Sequence, residues 1–321
     1  MSNLSRAHEV EQQFHHLNQA GAYAEALELV TREASVFPDY AQKVVYSWRM
    51  SMACRLNQKN LALQVLNEAV QAGCWYDGLE TDPDYQILYG DSEFERLVKI
   101  CVQRRAQAMA DAVPVVKTLP PDPRFSPYPL LLALHGNNSS VEIQAKHWDL
   151  AVQHGWLLAL PQSSQVFAPG TYTWNDWEWA QQEVCERYTT LCKTYPIDPQ
   201  RVVLAGFSLG AGLALWLVLS GAIQAQGLIL VGPFLQDIND IIPFLEQHAP
   251  SGLRVYLVAG QRDRYCLEIA QQLATLLPQY GIACKLDEYS DLEHNFPLDF
   301  EKKLPEALSF VLSACHFTKK P

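Results

Sequence analysis

The sequence has no long apolar run, no closely paired cysteines and no excess of positive charge. Its longest apolar stretch, residues 213–219, ends at Ser220 and Gly221 and is too short to cross a bilayer. Its first residues are polar and lack the apolar segment of a signal peptide, so we expect no secretion signal. The formal net charge of −11 argues against strong binding to nucleic acid or to an anionic membrane.

The eight cysteines are scattered and include neither a C-x-x-C pair nor a spacing typical of metal ligands. We therefore expect reduced thiols, no metal site and a cytoplasmic location. With 321 residues, of which 49% are hydrophobic and 18% charged, the chain fits a globular protein of about two domains.

Residues 1–111 have the periodicity of amphipathic helices, because apolar side chains recur every three or four positions. The pairs Ala26-Leu27 and Ala62-Leu63 lie 36 positions apart, close to the period of helical-hairpin repeats. The segment 21–27 resembles the middle of a tetratricopeptide repeat. We predict an all-α domain of helical hairpins, a kind of surface that serves a protein partner or self-association.

Residues 112–129 are predicted to form a linker or an irregular edge. Six of the nineteen prolines fall between 112 and 130, and proline neither continues a helix nor donates to a central strand ladder. The second domain is predicted to span residues 130–321.

In this second domain, apolar runs of strand length alternate with helical patterns. The predicted strands are 130–134, 156–160, 202–205, 228–231, 255–258 and 284–289. The predicted helices are 142–153, 177–194, 209–219, 266–280 and 302–313. Strands apolar enough to be buried on both faces, with helices between them, indicate an α/β fold with a mostly parallel sheet.

The most informative motif is the pentapeptide Gly206-Phe207-Ser208-Leu209-Gly210, which joins a predicted strand to a predicted helix. At such a turn the glycines allow strand and helix to approach closely, and the serine hydroxyl is exposed above the end of the sheet. Ser208 is therefore a candidate nucleophile. A serine nucleophile needs a neighbouring base that is itself oriented by a carboxylate.

The partners of Ser208 must come from the carboxyl ends of other strands, since these ends meet at one edge of a parallel sheet. His294 follows the last predicted strand and is the candidate base. Asp263 follows the strand before it and is the candidate acid, with an N-cap of the next helix as the alternative interpretation. Asp237 and Asp240 are the other candidates for the acid.

The loop after the first predicted strand offers a second group of candidates. We expect His135 to shape this loop rather than to act as a base. Gly136 allows the loop to turn, so that the N–H of Asn137 can face the site. Together with the N–H of Leu209 it would form an oxyanion hole, in which each donor contributes roughly 3 kcal/mol in comparable sites.

Residues 128–315 resemble the α/β-hydrolase fold, in which serine, acid and histidine follow one another in this order. Four segments resemble the phospholipase/carboxylesterase branch of that fold: residues 134–138, 206–210, 260–263 and 293–297. This branch includes acyl-protein thioesterases and is similar to dienelactone hydrolases.

The resemblance implies hydrolysis of esters or thioesters through an acyl-enzyme, without a metal or an organic cofactor. It assigns the nucleophile to Ser208, the acid to Asp263 and the base to His294. It assigns the oxyanion donors to Leu209 and Asn137. The expected partner is then a small ester or thioester.

Three tryptophans fall within residues 174–179, beyond the carboxyl end of a predicted strand. Trp174 and Trp177 are candidates for the wall of a substrate pocket. Core packing at the start of a helix is an equally good interpretation of both.

Two other functions are open at this point. The chain could be an adaptor whose hydrolase domain is inert, although an inert scaffold has no need of a nucleophile, an acid and a base in order. It could also be a prolyl-oligopeptidase-like serine peptidase, although such enzymes usually carry a β-propeller where this chain is helical.

Overall fold

The structure is a computed structural model of the chain, and it describes residues 3–37 and 41–313. The chain divides into two compact units, one of residues 1–112 with 168–171 and the other of residues 113–167 with 172–321. Seven cysteines are free, whereas Cys315 lies outside the described residues. Within the described ranges, no helix has the length and hydropathy that a membrane span requires.

The first unit is helical, as predicted. Its α-helices within the described residues are α1 (Asn3–Gln19), α2 (Tyr23–Arg32), α3 (Gln42–Arg55), α4 (Lys59–Gln71) and α5 (Ser92–Asp111). The periodic apolar residues form its core, in which Val10 and Phe14 of α1 lie with Ala26 and Val30 of α2. Phe14 also stacks on Trp48 of α3, with ring centroids 4.5 Å apart. The resemblance to a tetratricopeptide repeat stays a prediction.

The second unit is built on a seven-stranded sheet of order β1-β3-β2-β6-β7-β8-β9. Strand β1 is antiparallel to β3, and the other neighbours are parallel. The strands are β1 (Val115–Leu119), β2 (Tyr128–Leu134), β3 (Leu157–Gln162), β4 (Val166–Ala168), β5 (Thr171–Tyr172), β6 (Ile197–Phe207), β7 (Gly227–Val231), β8 (Arg254–Gly260) and β9 (Ala283–Tyr289). Strands β4 and β5 form a separate two-stranded sheet.

Helices cover both faces of this sheet. They are α6 (Val141–Trp148), α7 (Leu150–Gln153), α8 (Trp177–Thr194), α9 (Leu209–Leu219), α10 (Ile242–His248), α11 (Arg264–Leu276) and α12 (Phe300–Leu312). Alternate residues of each central strand point to opposite faces, so Leu130 and Leu132 join the core under α8, α9 and α11. Leu131 and Ala133 join the core under α6, α7 and α12.

The α/β architecture and its mostly parallel sheet were predicted correctly, and the chain has an α/β-hydrolase fold. The proline-rich segment 112–129, which was predicted as a linker or an irregular edge, contains the edge strand of the sheet. Strand β1 lies between Pro114 and Pro120 and pairs with β3, from Val115 opposite Gln162 to Leu119 opposite Leu158. Because β1 contains no proline, all its N–H groups remain available for the ladder.

Candidate active site

Ser208 sits in the turn between β6 and α9 with φ 55° and ψ −123°. Residues other than glycine rarely adopt this backbone conformation, so the surrounding structure must hold it. The N–H of Ser208 donates to the carbonyl oxygen of Val231 at 2.9 Å, and its own carbonyl oxygen accepts from the N–H of Phe234 at 3.1 Å. Hydrogen bonds to β7 and to the loop after it therefore hold the strained turn.

The two glycines of the pentapeptide lie where a side chain has no room. A Cβ atom at Gly206 would lie 2.5 Å from the carbonyl group of Gly210. A Cβ atom at Gly210 would overlap the carbonyl oxygen of His135 and lie 2.7 Å from that of Leu134. The structure therefore has the close approach of strand and helix for which these glycines were expected.

His294 lies in the loop that follows β9. Its Nε2 is 2.8 Å from the Oγ of Ser208, and its ring centroid is 4.8 Å from that of Phe207. A Cβ atom at Gly232 would lie 3.4 Å from the imidazole, so this glycine lies against the ring. The side chain is nevertheless 42% exposed, which leaves the imidazole accessible to a substrate from solvent.

Asp263 lies between β8 and α11 and uses its two carboxylate oxygens differently. Its Oδ2 is 2.5 Å from Nδ1 of His294, and its Oδ1 accepts the N–H of Cys266 at 3.3 Å as the N-cap of α11. The two sequence interpretations, partner of the histidine and helix cap, are thus both satisfied geometrically. The N–H of Arg262 donates to the carbonyl oxygen of Leu292 at 3.0 Å and joins this turn to the histidine loop.

Burial of Asp263 acts to raise the pKa of its carboxyl group. The hydrogen bond and the charge of His294, together with the hydrogen bonds from Cys266, outweigh burial and leave the pKa of Asp263 below its ordinary value. Asp263 is therefore ionised at neutral pH. A neutral His294 can then donate its Nδ1 proton to Asp263 and present Nε2 as the acceptor for the hydroxyl of Ser208.

The structure thus brings Ser208, His294 and Asp263 together in one hydrogen-bonded chain. In this arrangement the hydroxyl proton can pass to Nε2, and the carboxylate stabilises the imidazolium that forms. The two rival acids do not take part. Asp237 accepts the N–H of Asn239 at 2.9 Å, and Asp240 is exposed on the same short segment.

The two expected oxyanion donors are the backbone N–H groups of Leu209 and Asn137, which follow β6 and β2. Leu209 is the first residue of α9, so its N–H has no acceptor within the helix and lies at the positive end of the helix dipole. Asn137 lies in the turn after β2. A Cβ atom at Gly136 would lie 2.9 Å from the ring of Phe207, so this loop also packs closely on the pentapeptide that contains Ser208. The roles of both donors stay predictions.

The structure changes the interpretation of Trp174. This side chain is fully buried, and its Nε1 donates to the carbonyl oxygen of His135 at 2.8 Å. A side chain without exposed surface cannot line an open pocket, so the alternative of core packing applies to Trp174. Trp177 is half-buried and packs on Trp216, with centroids 5.7 Å apart; its role in substrate binding stays a prediction. Asp176 caps α8 by accepting the N–H of Trp179 at 2.9 Å.

Sequence reasoning missed two neighbours of the site, Cys266 and Gln162. Ligand atoms of Asp263, Cys266 and His294 lie within 4.8 Å of one another and are the one group among the described residues that could hold a metal ion. Burial, followed by the charge of Asp263, raises the pKa of the Cys266 thiol, so this thiol stays protonated. A metal ion would have to remove that proton and break the hydrogen bond between Asp263 and His294.

Gln162 lies at the carboxyl end of β3, which is next to β2 in the sheet. Its position at the end of a predicted strand could have indicated from the sequence that it lies beside the loop after β2.

Comparisons with known proteins agree with this architecture. Residues 10–109 match the family model of the A/B hydrolase-like, N-terminal domain. An uncharacterized protein from Bacillus cereus ATCC 10987 is 26% identical, with a TM-score of 0.55, over 94% of this chain and 97% of that one. The chain is therefore similar to that protein along nearly its whole length.

Two further structures match a smaller share of the chain. Esterase PE8 is 19% identical with a TM-score of 0.50, over 60% of this chain and 99% of that one. A Bacillus cereus carboxylesterase is 17% identical with a TM-score of 0.49, over 64% of this chain and 99% of that one. Among curated proteins, none matches this chain.

Proposed function

We propose that the protein is a serine carboxylesterase that hydrolyses ester or thioester bonds through an acyl-enzyme. The observation that carries the proposal is the hydrogen-bonded chain from Ser208 through His294 to Asp263, built from the ends of three parallel strands. The α/β-hydrolase fold, which esterase PE8 shares, is consistent with it.

In the proposed reaction, Oγ of Ser208 bonds to the acyl carbon while its proton moves to Nε2 of His294. The N–H groups of Leu209 and Asn137 bind the oxyanion of the tetrahedral intermediate. As the intermediate collapses, the imidazolium returns the proton to the leaving alcohol or thiol. Water then attacks the acyl carbon while its proton moves to Nε2 of His294. The imidazolium gives this proton to Oγ of Ser208 as the bond from the acyl group to Oγ breaks and the carboxylic acid leaves, and Asp263 stabilises each imidazolium.

We also propose that the protein works in a reducing compartment such as the cytoplasm. The seven described cysteines are unpaired, and three of them, Cys54, Cys74 and Cys101, are buried in the helical unit without a disulfide. The helical unit is proposed to bind a protein partner or a second copy of the chain. Size-exclusion chromatography of the whole chain, compared with that of a chain that lacks the helical unit, tests self-association.

The test of the esterase proposal is labelling with a fluorophosphonate, followed by kinetics on matched esters, thioesters and peptide amides. Ser208→Ala is expected to abolish labelling and to lower kcat on short p-nitrophenyl esters by about 10⁶-fold, as in comparable triads. Ser220→Ala, at the other end of α9, is the matched control and is expected to keep both. The proposal would be refuted if Ser208→Ala kept wild-type turnover. Hydrolysis of peptide amides alone by the wild type would favour a peptidase. A wild type that the fluorophosphonate does not label would favour an inert adaptor.

A further inference from the structure

The imidazole of His135 is buried and hydrogen-bonded at both nitrogens. Its Nδ1 lies 2.8 Å from the carbonyl oxygen of Gly136, and its Nε2 lies 3.3 Å from the backbone nitrogen of Ser163 and 3.1 Å from Nε2 of Gln162. The N–H of Ser163 can only donate, so Nε2 of His135 is the acceptor and Nδ1 carries the proton. Burial lowers the pKa of His135 to about 4, so this neutral form persists at physiological pH.

The hydrogen bond from His135 fixes the direction of the expected oxyanion donor. The carbonyl oxygen of Gly136 and the N–H of Asn137 belong to the same peptide group, which is planar. In a trans peptide they point in opposite directions. By holding the oxygen, the imidazole therefore aims the N–H of Asn137 away from itself.

Trp174 holds His135 in turn. Its ring stacks on the imidazole with centroids 4.7 Å apart, and its Nε1 donates to the carbonyl oxygen of His135 at 2.8 Å. That same oxygen is the one that a Cβ atom at Gly210 would overlap, so it lies directly against the pentapeptide that contains Ser208. Two residues before Trp174, Tyr172 exchanges two backbone hydrogen bonds with Ser139, at 2.8 and 3.2 Å. Residues 172–174 therefore hold the loop 135–139 at both ends.

We propose that Trp174 is a positioning residue that acts through His135 to keep the N–H of Asn137 aimed at the oxyanion. The proposal rests on the proposed esterase function and deepens it. It gives the buried indole a part in transition-state stabilisation without any contact with the substrate. Such a residue affects kcat rather than substrate binding, because the oxyanion forms only as the reaction proceeds.

The first test is Trp174→Phe, which keeps an aromatic ring on His135 and removes the N–H donor. We expect kcat on a short p-nitrophenyl ester to fall about 10- to 100-fold, since removing an oxyanion donor outright costs 10²–10³-fold and misplacing it costs less. We expect KM to stay within about twofold of wild type. Affinity for phenylboronic acid, which forms a tetrahedral adduct with the serine, is expected to fall by the same factor as kcat.

The matched control is Trp148→Phe. Trp148 is also fully buried in the second unit, but within the described part of the chain its indole N–H has no hydrogen-bond acceptor. This variant is expected to keep kcat and the boronic acid affinity within about twofold of wild type. A second variant at 174 carries benzothienylalanine, which has the shape of tryptophan and sulfur in place of the N–H. It is expected to show the same loss as Trp174→Phe, and it serves if the phenylalanine variant does not fold.

Three results would overturn the inference. Both 174 variants could keep wild-type kcat and boronic acid affinity, which would leave Trp174 a purely structural residue. KM could rise with kcat unchanged, which would assign it to substrate binding after all. Trp148→Phe could lose as much activity as Trp174→Phe, which would trace the loss to the core in general. A wild type that neither hydrolyses esters nor reacts with a fluorophosphonate would instead refute the esterase proposal, and the inference with it.

Discussion

Replacing Asp263 by asparagine separates the two tasks that the structure gives to this side chain. The amide oxygen of the variant can still accept the N–H of Cys266 and cap α11, as Oδ1 does now. Its NH₂ group would face Nδ1 of His294 in place of Oδ2. Because NH₂ donates, Nδ1 would become the acceptor and the imidazole proton would move to Nε2, which could then no longer accept the proton of Ser208.

The expected size of the effect follows from these two hydrogen bonds. Asp263→Asn is expected to lower kcat about 10⁴-fold, as in a comparable triad whose geometry stays intact. This is about 5.5 kcal/mol of transition-state stabilisation. The free energy of unfolding should change by less than about 1 kcal/mol because the cap persists, whereas Asp263→Ala should lose about 1 kcal/mol more. Ester hydrolysis and chemical denaturation of both variants measure the two quantities separately.

Asp237→Ala is the control, because Asp237 also caps a short helical segment, residues 238–241, and was a rival candidate for the acid. It is expected to keep kcat within about twofold of wild type. The reasoning is refuted if Asp263→Asn keeps wild-type kcat, or if Asp237→Ala is as inactive as Asp263→Asn. An equal loss of stability in Asp263→Asn and Asp263→Ala would refute the assignment of the helix cap.

Two further predictions concern stability. Burial lowers the pKa of His135 from 6.5 to about 4, so between these pH values the unfolded chain binds a proton that the folded chain does not. The contribution of His135 to the free energy of unfolding is complete above pH 6.5 and falls by up to roughly 3 kcal/mol as the pH drops towards 4. Chemical denaturation at several pH values should therefore show that His135→Gln loses less stability in acid than the wild type. An equal loss of stability with falling pH in both proteins would contradict this. Gly210→Ala is expected to cost roughly 3 kcal/mol or more and to abolish ester hydrolysis, because the methyl group would overlap backbone atoms of β2 and the loop after it. Gly221→Ala, with no atom within 4 Å of its Cβ position but φ at 76°, should cost only about 1 kcal/mol, and similar losses at both glycines would argue against steric overlap.

The sequence predicts the central strands well because they are buried on both faces. A continuous apolar run of five residues such as Leu130–Leu134 is typical of a strand in the middle of a parallel sheet, and all five residues are buried. Strand β1 was predicted less sharply, as part of a linker or an irregular edge. Val115–Leu119 forms an edge strand that is only partly buried. Because it includes Lys117 and Thr118, its sequence has neither a continuous apolar run nor a regular alternation of apolar and polar residues. Its pairing depends on the position of β3, which no local pattern reveals.

The candidate site shows the same limit. The order of Ser208, Asp263 and His294 along the chain predicts their convergence, because the ends of parallel strands meet at one edge. The function of an individual buried side chain cannot be obtained in this way. Trp174 precedes a helix by three residues, a position compatible with a pocket wall or with the core, and the carbonyl group it binds is 39 positions away in the sequence. Only the fold brings that donor and acceptor together.

The path of the loop between β9 and His294 explains why the site requires a glycine at position 260. Strand β9 is three places from β6 in the sheet, a separation of about 14 Å at the usual strand spacing. His294 is five residues beyond Tyr289, the end of β9. The loop between them turns at once, because the N–H of Leu292 donates to the carbonyl oxygen of Tyr289 at 3.4 Å, and it then crosses the end of β8, where the N–H of Arg262 donates to the carbonyl oxygen of Leu292 at 3.0 Å. It does so over Gly260, where a Cβ atom would overlap the carbonyl oxygen of Leu292. A side chain at position 260 would displace Leu292 and Glu293, the two residues before His294, and we expect it to move the imidazole away from the serine.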